Sequence, residues 1–147
     1  QRCCEMTRAT DLSAAIVARL GLINPANGYN TALNGVFELC PVKDTQLPPY
    51  ALLRWADDQT TDKRLKDAKR GRNYEVEGVF PRAASLADME RFHFDVLRAL
   101  GWGGGVFERP VPGEITSDSA EIVPAAKGGG FHTITITLET QYVEVYT

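Results

Sequence analysis

The sequence predicts an α+β domain, built as a mixed, mostly antiparallel sheet flanked by two helices and ending in a long C-terminal strand. Three observations point there. Residues 131–147, FHTITITLETQYVEVYT, alternate with period two and contain no proline or glycine. Two segments, near residues 11–20 and 86–100, carry apolar residues at helical spacing. Between them lie short β-branched and aromatic runs separated by Pro, Gly and Asn. At 147 residues and 44% hydrophobic content the chain suits one domain with an ordinary core.

Residues 1–10 are expected to form a flexible lead, with Met6 opening a more ordinary start, and residues 11–147 to form the domain. Thr10 or Asp11 caps the first helix, whose stripe is Leu12, Ile16 and Leu20 with Val17 on its shoulder, and Gly21 stops it. The turn formers from Asn24 to Asn30 precede a strand over Val36–Cys40. After the break at Pro48-Pro49, Tyr50–Ala56 reads as a strand and Asn73–Phe80 as its partner, with Tyr74, Val76, Gly78 and Phe80 on one face.

Residues 57–72, DDQTTDKRLKDAKRGR, have one large aliphatic, Leu65, and are expected to be a charged, extended loop. One reading is a solvated loop; the other is an arm whose Lys63, Arg64, Lys66, Lys69, Arg70 and Arg72 contact a neighbouring protein. Nucleic acid is the least favoured partner, because aspartates interleave and no aromatic offers base stacking.

Ser85-Leu86-Ala87-Asp88 resembles a capping box and opens the second helix, which runs to Leu100 and stops at Gly101. Leu86, Met89, His93, Val96, Leu97 and Leu100 form its core stripe. His93 is expected to be a buried or boundary histidine with a backbone partner. Phe94 projects from the polar face among Glu90, Arg91 and Arg98, so it covers either a loop of its own chain or a neighbouring subunit. Val106–Arg109 and Glu121–Val123 read as brief strands, and Gly128-Gly129-Gly130 as the turn into the last strand.

In that last strand Ile134, Ile136, Leu138 and Tyr142 share one face, opposite Thr133, Thr135, Thr137, Glu139 and Gln141. Fully extended it reaches about 55 Å, against a radius of gyration of ~15 Å for such a chain. It must therefore bend or meet something outside the domain. The apolar phase slips after Tyr142, to Val143 and Val145, which predicts a bulge there.

Catalytic and metal signatures are missing. Trp102-Gly103-Gly104-Gly105 has no Gly-Lys-Ser/Thr and no helix after it, as a phosphate loop needs, and no Gly-x-Ser-x-Gly elbow occurs. Neither His93 nor His132 has a nucleophile or carboxylate at a familiar spacing, and Asp57-Asp58 alone pairs carboxylates. Cys3, Cys4 and Cys40 match neither a disulfide framework nor a zinc pattern. No cofactor, metal or enzymatic activity is expected. A net charge of −3 disfavours general nucleic-acid binding, and the apolar stretches are too short to span a bilayer.

The order of elements, with Asn27-Gly28-Tyr29-Asn30-Thr31, Leu47-Pro48-Pro49-Tyr50, Tyr74-Glu75-Val76-Glu77-Gly78, Glu121-Ile122-Val123-Pro124 and Tyr142-Val143-Glu144-Val145-Tyr146, resembles the tail terminator proteins of long-tailed bacteriophages, the minor tail protein U type. The resemblance runs from about Asp11 to the end and contains no sharp motif. It implies a structural virion protein of the tail-neck region, assembled in the host cytoplasm. Six copies would form a homohexameric ring that caps the tail tube, ends its polymerisation and presents the head-joining surface. Partners would be other copies, the tail tube protein and a head-tail connector or head-closure protein, with DNA passing through the channel without specific binding. The surfaces expected to meet a neighbour are Phe94, Arg98, Thr133, Thr135, Thr137, Glu139, Gln141, Tyr142 and Tyr146, together with the basic residues of the charged loop. The alternatives are another neck protein, such as a head-closure or tail-completion adaptor, and a small cytoplasmic module that binds proteins by strand augmentation.

Overall fold

A computed structural model describes residues 7–39, 42–103 and 113–146. Helix α1 (Arg8–Leu20) is followed by a short 3-10 turn (Pro25–Asn27), β1 (Val36–Glu38), β2 (Tyr50–Lys63), β3 (Asp67–Phe80), α2 (Leu86–Ala99), β4 (Glu114–Val123) and β5 (His132–Val145). The strands form one sheet in the order β1-β2-β3-β5-β4, parallel only between β1 and β2. This is the predicted α+β class. Both helices pack on the same face of the sheet.

The helices follow from their stripes. Leu12, Ile16 and Leu20 are fully buried beneath α1. In α2 the reciprocal Ser85–Asp88 capping box is present as expected. Its buried stripe, however, is Met89, Phe92, Asp95, Val96 and Ala99. Leu86 is exposed and His93 only half-buried, because the helix is rolled so that Phe92 faces the sheet. There Phe92 meets Phe80 edge-to-face, with centroids 5.4 Å apart. Gly78 makes room for that ring: a Cβ at this position would lie 2.5 Å from Phe92 Cε2.

Four expectations about the elements are corrected. Thr7, not Thr10 or Asp11, caps α1, its side chain accepting from Thr10 N, so the domain takes in part of the supposed lead. Residues 57–72 are not a loop. β2 and β3 continue through them as a hairpin whose turn is closed by Arg64 N donating to Asp67 O. Their alternating polar residues lack a core face of their own, but pairing with β5 up to Val145 makes the hairpin two strands of a wider sheet. β4 is a ten-residue strand rather than a brief one; lying at the sheet edge it needs few apolar residues. Finally, β5 pairs with β3 without interruption, so no bulge follows Tyr142. The register shifts lie in β2, between Trp55/Asp57 and Thr60/Asp62, and in β4, between Ile115/Ser117. The phase of polarity slips while the backbone does not, because Glu144 takes the inward position and accepts from Arg8 N at 2.9 Å.

The length of β5 is thereby accounted for inside the sheet, since β2, β3 and β5 are all fourteen residues long. Val106–Arg109, Cys3, Cys4, Cys40, Gly104 and Gly105 fall outside the described residues.

One carboxylate holds the loop after α1 to α2. Asp95, fully buried, accepts from Asn30 N (3.0 Å), Asn30 Nδ2 (3.2 Å) and Thr31 N (2.8 Å). Replacing it by Ala strands those donors. Asp95→Ala should lower unfolding free energy by about 3 kcal/mol, read as an earlier urea midpoint at unchanged slope; a shift below a few tenths of a kcal/mol would show that the loop is held otherwise.

Candidate interaction surface

Outside the register shifts, the pairing sorts the strand residues onto two faces. Toward the helices lie Ala51, Leu53, Tyr74, Val76, Ile134, Ile136 and Leu138, the apolar core. On the opposite face cross-strand rows run Leu52–Glu77–Thr135–Glu121, Arg54–Glu75–Thr137–Ser119, Asp57–Asn73–Glu139–Ser117 and Gln59–Gly71–Gln141–Glu114. No helix among the described residues covers this face. Thr133, Thr135, Thr137, Glu139 and Gln141 thus form its central column, as the alternation predicts.

This face is acidic. Asp57, Asp62, Asp67, Glu75, Glu77, Glu114, Glu121 and Glu139 lie on it, against Arg54 and Lys69, with Arg64 at the turn 3.8 Å from Asp62 and 3.9 Å from Asp67. Arg54 is shared between Glu75 (2.8 Å) and Glu77 (3.6 Å), and Ser117 Oγ donates to Glu139 at 2.6 Å. Asp57, Glu114, Glu121 and Glu139 give the face its negative potential.

On the helix side, where the sheet outruns the apolar core, a polar cluster replaces it. The Asp58 carboxylate accepts from Arg70 Nε, from Arg72 Nε at 2.7 Å and from Tyr142 Oη at 2.6 Å. The Arg72 guanidinium lies 4.4 Å from the Trp55 ring centroid and 5.3 Å from that of Tyr142. Burial alone would raise the Asp58 pKa, but the hydrogen bonds from Tyr142, Arg72 and Arg70 outweigh it and hold the carboxyl below its usual range. Burial, then the hydrogen bond to Asp58, pushes the Tyr142 phenol up.

The residues expected at contacts therefore divide. Tyr142 and Arg72 are interior in the single chain, 5% and 8% exposed. Arg70 turns toward Asp58 and Tyr146, reaching Tyr146 Oη at 3.4 Å. Lys63, Arg64, Lys66 and Lys69 do surround the hairpin tip, where Leu65 is 97% exposed. Phe94 is exposed on α2. Arg98 lies between it and Tyr29, its guanidinium 5.8 Å and 4.9 Å from the two ring centroids, and donates to Gly28 O at 3.3 Å. Phe94 thus joins the loop of its own chain through Arg98 while keeping a free outer surface.

Sequence reading missed three carboxylates. Asp58 and Asp95 become anchors only once distant segments meet. Asp118 on β4 sits 2.7 Å from His93 Nε2, a side-chain partner where a backbone one was expected. His132 accepts from Ala125 N through Nδ1 (2.8 Å) while Nε2 faces Arg82 O (3.1 Å), so it joins three segments. Among the described residues no group of His, Cys, Asp and Glu is placed to hold a metal ion, and no helix is long and apolar enough to cross a membrane.

A chain of the virion of a native gene transfer agent (GTA) particle superposes with a TM-score of 0.51 at 16% identity, over 94% of this chain and 92% of that one. The two share a fold. No family model and no curated protein matches the chain.

The Asp58 cluster makes a pH prediction. Because the folded-state pKa lies below the unfolded value of about 4, its contribution to stability is complete above that value and is lost as pH falls through the folded pKa. Asp58→Asn should flatten the acid limb of stability against pH, measured as urea midpoints from neutral to acid pH. An unchanged acid limb would place the titration elsewhere.

Proposed function

We propose that the chain is a structural protein of a phage-like virion that forms a homohexameric ring on the end of the tail tube, stops its growth and offers the head-joining surface. The observation that carries this reading is the long, uncovered, acidic sheet face on a fold shared with a GTA virion chain. A helix layer on one side and a polar sheet on the other suits a ring with helices outward and the sheet toward the channel. Carboxylates lining that channel repel the phosphate backbone, so DNA passes without being held.

The hairpin tip supplies a different surface. Leu65 stands exposed among Lys63, Arg64 and Lys66, an apolar anchor with a basic rim, and we assign it to the tail tube protein or the connector rather than to DNA. Phe94 and Arg98, on the outer surface of α2, belong to contacts with neighbouring neck proteins. No step of this role calls for catalysis, a metal or a cofactor.

Electron microscopy and mass measurement of the purified protein, alone and with tail tubes, test the reading. Six-membered rings with a central hole, and tubes that stop growing when the protein is added, are expected. A protein that stays monomeric and leaves tube growth unaltered contradicts it. A Leu65→Ser, Lys66→Glu variant should keep its rings and its stability but bind tubes at least tenfold more weakly; wild-type tube binding would remove the tip from that contact.

A further inference from the structure

The geometry points to a specific subunit contact: the outer edge of β2 in one copy pairs with the outer edge of β4 in the next, joining the sheets into one closed barrel. This rests on the ring reading above and names the surfaces that build it.

Both edges are free among the described residues. β1 covers β2 only from Ala51 to Leu53, which leaves its outer side unpaired from Arg54 to Lys63. β4 ends the sheet at the other side and is unpaired outward from Glu114 to Val123. The two free edges are equal in length. Their directions also agree: β2 is antiparallel to β3, β3 to β5 and β5 to β4, so β2 and β4 run in opposite senses. A copy added sideways therefore presents β4 antiparallel to β2 with its helices on the same side, and keeps core face next to core face. Two different patches on one molecule make a heterologous contact, the kind that closes rings.

The stagger of the edges fits closure. Traced along the cross-strand rows, β4 spans positions opposite Thr133–Gln141 of β5, while the free part of β2 spans those opposite Thr137–Glu144. Centring one edge on the other displaces each copy by about four residues, ~13 Å along the strands. With β2, β3, β5 and β4 as the barrel strands of each copy, shear per strand is close to one, which corresponds to a tilt of about 36°. The register shifts in β2 and β4 supply the coiling that a curved sheet needs. The charges along the edges, Asp57, Asp58, Asp62, Lys63 and Glu121, keep the single copy from pairing indiscriminately.

Cysteine cross-linking tests the contact. In a background with Cys3, Cys4 and Cys40 replaced by Ser, Gln59→Cys on β2 is combined in turn with Ser117→Cys, Ser119→Cys or Glu121→Cys on β4, all exposed positions on the uncovered face. Oxidation of one of the three double variants should give a reducible ladder of covalent species up to the closed ring, and the single variants none. Covalent dimers from a single variant would reveal a two-fold contact and overturn the proposal. Rings without a ladder from any pair would overturn it while leaving the ring itself standing; no ring from the wild type, alone or on tail tubes, would overturn both.

Discussion

The antiparallel pair of β3 and β5 sets everything else in this molecule. Fourteen residues from each strand meet in unbroken register, and because side chains alternate strictly along a strand, one register fixes two faces at once. Ile134, Ile136 and Leu138 beside Val76 and Tyr74 give a surface that must be covered. Thr133, Thr135 and Thr137 beside Glu75 and Glu77 give one that need not be. A slip of a single residue would expose the first and bury the second. Both helices collect on the apolar side for that reason, and the hairpin, β1 and β4 attach to a sheet whose polarity is already decided.

Two inward-facing carboxylates extend this frame beyond the reach of apolar packing. Asp95 fixes the loop after α1 against α2, and Asp58 gathers Arg70, Arg72 and Tyr142 where the apolar core runs out. An ion cluster is weak evidence of net stabilisation, since desolvation offsets much of the attraction. Its value here is positional: it keeps the far part of three strands in one sheet and turns Arg70 and Arg72 away from the surface. The acidic face runs up to the hairpin tip, where Arg64 meets Asp62 and Asp67.

Much of this was legible in the chain itself. The period-two run of β5, the Ser85–Asp88 capping box and the Leu12, Ile16, Leu20 stripe are local patterns, and the structure keeps them. What could not be read were features that depend on strands far apart in sequence. Residues 57–72 look like a loop because charged residues alternate there without an apolar face, yet pairing with Val143 and Val145, some seventy residues on, holds them as strands. Phe92 and Leu86 exchange places because Gly78 leaves space that no helical wheel records. Asp118 reaches His93 because β4 begins at Glu114, seven residues before the Glu121 that its apolar residues suggest. Tyr142 lies on the apolar face that the alternation predicts, and in the single chain it is covered there by the Asp58 cluster.

The central claim is that the uncovered sheet face exists for an assembly and looks into its channel. Cryo-electron microscopy of the assembled particle tests this most directly. The account predicts the chain as a ring at the head-proximal end of the tail tube, with Thr135, Glu77 and Glu121 toward the channel and α1 and α2 outside. Density placing the helices against the channel, or the chain as an isolated copy away from the tail, would contradict it.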